Sequence, residues 1–136
     1  MSKRVPIMKI YLKKKYIEFN RPTITLLGNP PHLVFMLDDP NERLIVLPSS
    51  EETFSTYEIP KYYWQDKRQT CHVCRLPFFL TLQQKFSWSD DRLYVIRGIF
   101  QILEENQKLV VFNFADITEA MIKTKPKKNQ GGTNDR

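Results

Sequence analysis

The apolar residues of this chain are gathered into short runs, and several of these runs alternate with polar residues or end at turn-forming residues. Runs of about four to eight residues with this pattern are typical of β-strands. No stretch approaches the roughly 18 consecutive apolar residues that a membrane-spanning helix needs. The pattern therefore predicts a β-rich fold of the α+β class, with no association with a membrane.

Three hairpins are expected along the chain. The first joins residues 8–12 to residues 16–19 through a lysine-rich turn. The second joins residues 33–37 to residues 44–47 through a turn that contains Asp, Pro and Asn, and its strands look buried on both faces. The third runs from Leu93 to Phe114 through an acidic turn and is interrupted at Gly98, where we expect a bulge or a bend.

A short helix is expected before each of the last two hairpins. Asn20 can cap the first helix, Pro22 can begin it, and Gly28 can adopt the left-handed geometry that ends it. The second helix is expected from about Leu76 to Phe86, where Pro77 is acceptable in the first turn.

The helix and hairpin recur in the same order, which divides the chain into two similar halves. These halves cover about residues 8–50 and 71–116. The whole chain of 136 residues has the length of a single domain. We expect one β-rich domain over residues 1–122, followed by a basic, disordered tail over residues 123–136.

The net charge of +6 is concentrated at the two ends of the chain. Residues 1–21 carry +6 and residues 123–136 carry +4, so the residues between them carry −4. Basic ends attract polyanions such as nucleic acid, because phosphate neutralisation releases counterions. The tail has no apolar residue with which to fold, so we assign its lysines to solubility. Lys13, Lys14 and Lys15 differ, because the two flanking strands would hold their turn in place.

Cys71 and Cys74 have the spacing of a redox pair or of half a zinc site. A zinc site needs about four ligands, and the chain has no second CxxC and no histidine pair. A redox pair of the thioredoxin type requires a parallel βαβ pattern that the sequence lacks. We therefore expect two cysteines packed at a strand end, with no metal and no cofactor, in a reducing cytoplasm.

Catalytic residues are not recognisable in the sequence. The two histidines have no partner in a recognisable arrangement, the acidic pairs fall at turns or element boundaries, and no glycine-rich phosphate loop is present. We predict that the protein is not an enzyme.

An aromatic cluster of Tyr62, Tyr63 and Trp64, with Tyr57 before it, lies beside Lys61, Lys67 and Arg68. Exposed aromatic side chains beside cations can stack on bases or anchor a protein interface. Alternatively, they cover the core between the two halves, which is the interpretation we favour.

The stretch from Phe19 to the pair Leu27-Gly28 has the spacing of a strand followed by a helical turn, and residues 33–38 and 44–48 form the strands of a hairpin with an acidic turn. This pattern resembles the swapped-hairpin DNA-binding fold of the AbrB family, including its tandem, MraZ-type form. The likeness covers about forty residues. It departs from the family at Asn20, where proline is usual, and at residues 29–32, which replace the usual turn. The second half shows no clear counterpart of the entry strand.

The resemblance implies a tandem β-barrel that binds DNA, as a transcriptional regulator would. By position, its DNA contacts would be Lys13, Lys14, Lys15 and Arg21. The alternative is a non-enzymatic protein-interaction or structural module, whose partner is another protein or a second copy of the chain. A DNA-binding protein should present a continuous positive face, and an interaction module an apolar patch.

Overall fold

The structure is a computed structural model that describes residues 5–74, 79–89 and 91–121. These residues form a strand-rich α+β fold, which confirms the predicted fold class. In chain order, the strands and helices of the described residues are β1 (Ile7–Tyr11), β2 (Tyr16–Asn20), α1 (Arg21–Leu26), β3 (His32–Asp38), β4 (Arg43–Ser49), β5 (Thr56–Glu58), α2 (Lys61–Gln65), β6 (Thr70–Cys74), α3 (Phe79–Phe86), β7 (Arg92–Ile102), β8 (Lys108–Asn113) and β9 (Thr118–Met121).

The strands pair antiparallel in the order β5-β3-β4-β8-β7-β1-β2-β6, and β9 lies beside β7. Strand β7 pairs with β1 through residues 93–97 and with β8 through residues 98–102, so it belongs to two sheets. We call the sheet of β6, β2, β1, β9 and the start of β7 the first sheet. The second sheet contains β5, β3, β4, β8 and the end of β7. Together the two sheets form a barrel-like arrangement.

One hydrophobic core lies between the sheets. Alternate residues of β1 and β2 are buried, as the period of two along a strand requires. Phe19 of the first sheet packs against Phe112 of the second, with ring centroids 5.8 Å apart. Trp88 stacks on Phe86 and Tyr94, so it packs beside the end of α3.

The local features predicted for α1 are confirmed. The side chain of Asn20 accepts a hydrogen bond from the backbone N–H of Thr23, at 3.3 Å, and so caps the helix. The same side chain accepts from the N–H of Ile7 and donates to the carbonyl of Val5, so it also ties the helix to β1. Gly28, with a φ of 92°, adopts the left-handed conformation that follows the helix.

The three hairpins form where they were expected, but other details differ. Helix α2 and strand β9 were not predicted. Helix α3 begins at Phe79, and residues 76–78 of its expected first turn lie outside the described residues. The interruption expected at Gly98 does not break the strand, because β7 continues through it and changes its pairing partner there from β1 to β8. The expectation that the second hairpin is buried on both faces is wrong, since Met36 on β3 is 52% exposed.

Strand β6 was not recognisable in the sequence. It precedes α3 as β2 precedes α1, and it pairs antiparallel with β2. Strands β4 and β8, which end the two β-α-β-β series, also pair with each other. Each half therefore contributes a strand to both sheets.

Within the described ranges, no helix has both the length and the apolar composition needed to cross a membrane. The predicted basic tail over residues 123–136 lies outside those ranges.

Candidate functional site: the outer face of the first sheet

The turn between β1 and β2 presents three consecutive lysines to solvent. The turn lies between Tyr11 and Tyr16, the pair that closes the hairpin. The N–H of Lys15 donates to the carbonyl of Leu12 at 3.1 Å, and Lys15 has a φ of 58°. Leu12 is only 4% exposed and is part of the core. A turn hydrogen bond and the buried side chain of Leu12 therefore hold the backbone of the loop in place.

Lys13, Lys14 and Lys15 are all exposed, and we call them the lysine loop. Among the described residues, none of the three lies within ion-pair distance of a carboxylate. Their charges are thus available to an external anion.

Three aromatic rings cross the first sheet next to the lysine loop. The ring of Tyr16 lies 4.7 Å from that of Tyr11 and 4.5 Å from that of His72, on which it is stacked. We call Tyr11, Tyr16 and His72 the ring ladder. The Nε2 atom of His72 lies 3.2 Å from a carboxylate oxygen of Glu18. That contact fixes the ring at the end of the ladder.

The tyrosines of the ladder keep their hydroxyl protons. Burial, followed by the nearby charge of Glu18, raises the pKa of both Tyr11 and Tyr16 above its ordinary value of 10.0. Both hydroxyls are therefore neutral hydrogen-bond donors at physiological pH.

Two further cations lie on the same outer surface. Lys9 is opposite Glu18 on the neighbouring strand, and Arg97 is opposite Ile7. Both alternate with core residues, such as Ile96, and so point away from the core. We call the lysine loop, the ring ladder, Lys9 and Arg97 the basic face. The acidic side chain of Glu18, which is 14% exposed, lies between Lys9 and His72 on the neighbouring strands.

Arg21 lies at the opposite end of β2, about 17 Å of strand away from the lysine loop. Its Nε donates to the carbonyl of Arg68 at 2.9 Å, and a second guanidinium N–H donates to the same oxygen. The guanidinium carbon also lies 4.7 Å from the centre of the Tyr63 ring. The structure therefore does not bring Arg21 together with the lysine loop, and instead engages it in contacts between α1 and the segment after α2.

The aromatic cluster divides between core and surface. Tyr63 is completely buried, whereas Tyr62 is 39% exposed and Trp64 is 37% exposed. The interpretation that the cluster covers the core holds for Tyr63. The guanidinium of Arg68 lies 5.2 Å from the centre of the Tyr62 ring. Exposed Tyr62 and Trp64, with Lys61, Lys67 and Arg68, form a second patch of aromatic and basic residues, which we call the α2 patch.

Cys71 and Cys74 point to opposite faces of β6. Cys71 is buried in the core and Cys74 is exposed. Residues three apart on a strand are separated by about 10 Å, too far for a disulfide, which requires Cα atoms within about 7 Å. Burial raises the pKa of Cys71 to about 12, so its thiol is not a nucleophile at neutral pH. Over the described part of the chain, no three His, Cys, Asp or Glu side chains are grouped to hold a metal ion.

The ring ladder, Lys9 and Arg97 were missed in the sequence. The alternation of β1 does place Lys9 and Tyr11 on its polar side. The ring ladder, however, depends on the pairing of β2 with β6, which no local sequence pattern predicts. No protein-family model matches the chain, and no match was found among curated proteins or solved structures.

Proposed function

We propose that the protein binds DNA through the basic face, with the lysine loop as the main contact, and that it acts as a transcriptional regulator. The observation that supports this proposal best is the set of three exposed lysines, free of carboxylate partners in the described structure, on a turn with a buried anchor. Cations arranged in this way neutralise phosphates and release counterions without reading the sequence.

The fixed backbone of the loop favours binding. Ordering a flexible segment on association costs free energy, and a turn that is already closed avoids most of that cost. Leu12 in the core and the hydrogen bond from Lys15 hold the turn before any ligand arrives. Only the lysine side chains lose freedom when they meet phosphates.

The ring ladder supplies the next contacts. Tyrosine hydroxyls are among the groups that bind DNA phosphates and fix a protein's position on the duplex. The hydroxyls of Tyr11 and Tyr16 remain protonated, and the two residues flank the lysine loop. We infer that they orient the sheet on the backbone, whereas the lysines provide most of the affinity.

The order of the strands is compatible with the tandem AbrB-like barrel, which is part of this proposal. The series β2-α1-β3-β4 and β6-α3-β7-β8 have the same order, and β2 with β6 and β4 with β8 pair across the halves. In this arrangement one chain supplies two copies of the unit. The proposed role is non-catalytic, and we place it in the cytoplasm.

The test is a fluorescence anisotropy titration of random duplex DNA with wild type and with Lys13→Ala/Lys14→Ala/Lys15→Ala. If the loop and the two other cations each neutralise one phosphate, affinity should fall on the order of 10²-fold or more between about 50 and 200 mM salt. The triple variant should bind far more weakly, and its salt slope should be smaller by about 2.7, or about 0.9 for each lysine removed.

The matched control is Lys61→Ala/Lys67→Ala/Arg68→Ala, which removes the same charge from the α2 patch. It should bind DNA nearly as well as wild type. If only this control loses binding, the α2 patch and not the basic face is the DNA site. If wild type does not bind at low salt, the proposal is wrong.

A further inference from the structure

The outer face of the second sheet is apolar across four strands. Met36, Ile45, Val111 and Ile99 are direct cross-strand neighbours on β3, β4, β8 and β7. Cross-strand neighbours share one face of a sheet, so these four side chains form a continuous row. The adjacent row on the other face, which contains Leu44 and Phe112, belongs to the core.

A second apolar row lies beside the first, two residues along each strand. It contains Val34 and its partner Leu47, with Leu109 on β8, and it ends at the polar Gln101 of β7. Leu109 is 7% exposed and Val111 is 4% exposed, yet neither belongs to the core cluster. We call these two rows, Val34, Met36, Ile45, Leu47, Ile99, Leu109 and Val111, the apolar face.

An antiparallel sheet with one face in water normally places polar side chains on that face. Here β-branched and long apolar side chains occupy both rows except at Gln101, and Met36 and Ile99 are each about half exposed. A contiguous apolar patch of this kind marks an interaction surface.

The terminal segments outside the described residues contain few apolar side chains, namely Met1 in residues 1–4 and Ile122 in residues 122–136. An occupant that buries this much apolar surface must be apolar itself.

We propose that the occupant is a second copy of this chain, whose apolar face packs against the first in a two-fold dimer. A surface that meets its own copy must avoid like charges, and neither row contains a charged residue. At the border of the face, Arg43 and Asp38 form an ion pair at 2.8 Å, so their charges largely cancel. Most of the described lysines and arginines lie instead on the basic face and the α2 patch.

The size of the face predicts a weak dimer. One outward residue covers about 33 Å² of a sheet, from a strand spacing of about 4.8 Å and a two-residue repeat of about 6.8 Å. The seven side chains thus cover about 230 Å² of flat sheet, and Leu109 and Val111, already 7% and 4% exposed, can lose little more accessible surface. Such an area is below the standard interface and belongs to the class of weak, transient associations.

The experiment is sedimentation velocity on the full chain without DNA, from about 1 to 300 μM, which brackets the dissociation constants of weak interfaces. Wild type should shift from monomer to dimer across this range. Met36→Glu and Ile99→Glu should each weaken the dimer at least tenfold, because a carboxylate would be buried without a partner. Both positions are about half exposed in the monomer, so these variants should fold, which circular dichroism and the thermal midpoint would verify.

The control is Leu80→Glu, which makes the same kind of change at a 63% exposed leucine on α3. It should dimerise like wild type. A monomer at every concentration would overturn the proposal, as would association that continues past the dimer or that persists in the face variants. The dimer does not depend on DNA binding, because the assay contains no DNA and its variants leave the basic face intact.

Discussion

Replacing Gly98 with alanine should destabilise the protein at the point where β7 passes from one sheet to the other. A Cβ atom at this position would lie 2.6 Å from Cε1 and 2.9 Å from Cδ1 of Phe112, and 2.8 Å from Cγ1 of Val110. Both neighbours are completely buried, so neither can swing into solvent. The backbone N–H of Gly98 also donates to the carbonyl of Pro6 at 2.8 Å, which limits any shift of the strand.

The magnitude follows from two opposing effects. Overpacking a core by one methyl group costs about 1 to 3 kcal/mol. Alanine also restricts the unfolded chain, which stabilises by about 0.4 to 1 kcal/mol. The free energy of unfolding should therefore fall by about 1 to 2 kcal/mol, or about 4 to 8 °C in the thermal midpoint for a domain of this size.

Urea unfolding followed by circular dichroism would measure the effect for Gly98→Ala, Phe112→Leu and the double variant. Phe112→Leu removes the ring atoms nearest to the new methyl group, so the alanine should cost less in that background. We expect a coupling energy of about 1 kcal/mol between the two changes. If Gly98→Ala is as stable as wild type, or if the effects of the two changes are additive, close packing of the Phe112 ring is not the reason that position 98 needs glycine.

Three further results are expected. Asn20→Ala should lower the free energy of unfolding by about 2 to 3 kcal/mol in urea titrations, because the side chain caps α1 and also bonds to Ile7 and Val5; Asn20→Asp, which keeps the acceptor, should lose less. In the folded protein, a thiol reagent near pH 8 should modify Cys74 and leave Cys71 unmodified until the protein unfolds, because burial raises the pKa of Cys71 to about 12. Rapid reaction of both cysteines would contradict the burial of Cys71. Hydrogen bonds from Asn41 and Arg43 lower the pKa of Asp38 below its ordinary value of 3.8. The ionised Asp38 therefore stabilises the fold fully well above pH 3.8, and this contribution is lost as the pH falls through and below that value. In urea unfolding over a pH series, the stability difference between wild type and Asp38→Asn should shrink as the pH falls, and a constant difference would contradict this.

The elements that could be predicted from the sequence are those with local causes. The hairpins follow from alternating runs and turn residues, and α1 from a capping residue, a proline and a glycine within nine positions. Helix α2 has no such signal, because it consists largely of aromatic residues with low helix propensity. It forms because the core buries Tyr63, whose carbonyl accepts the N–H of Arg68. Strand β9 likewise exists only through its pairing with β7.

The candidate site divides in the same way. The lysine loop was visible, because three consecutive lysines between two strands need no tertiary information. The ring ladder was not visible, because it needs His72, whose partner Glu18 is 54 residues away in the sequence. The apolar face was misinterpreted for a related reason. Apolar residues on both sides of β3 and β4 predict that both faces of the hairpin are buried. The pattern does not say whether the outer face is covered by the same chain or, as we propose, by a second copy.

The membership of β7 in two sheets has a consequence for how the chain folds during synthesis. Strand β1 begins at Ile7, and its partner in β7 ends at Arg97, so the first sheet cannot close until most of the chain has been made. At about 5 to 20 residues per second, β1 waits roughly 5 to 20 s after it leaves the ribosome's active centre. During that time the β1-β2 hairpin has an open edge that can pair with other chains. Three lysines at the tip of this hairpin make nascent chains repel one another, so the same charges that we assign to DNA binding would also keep the unfinished protein apart from its copies.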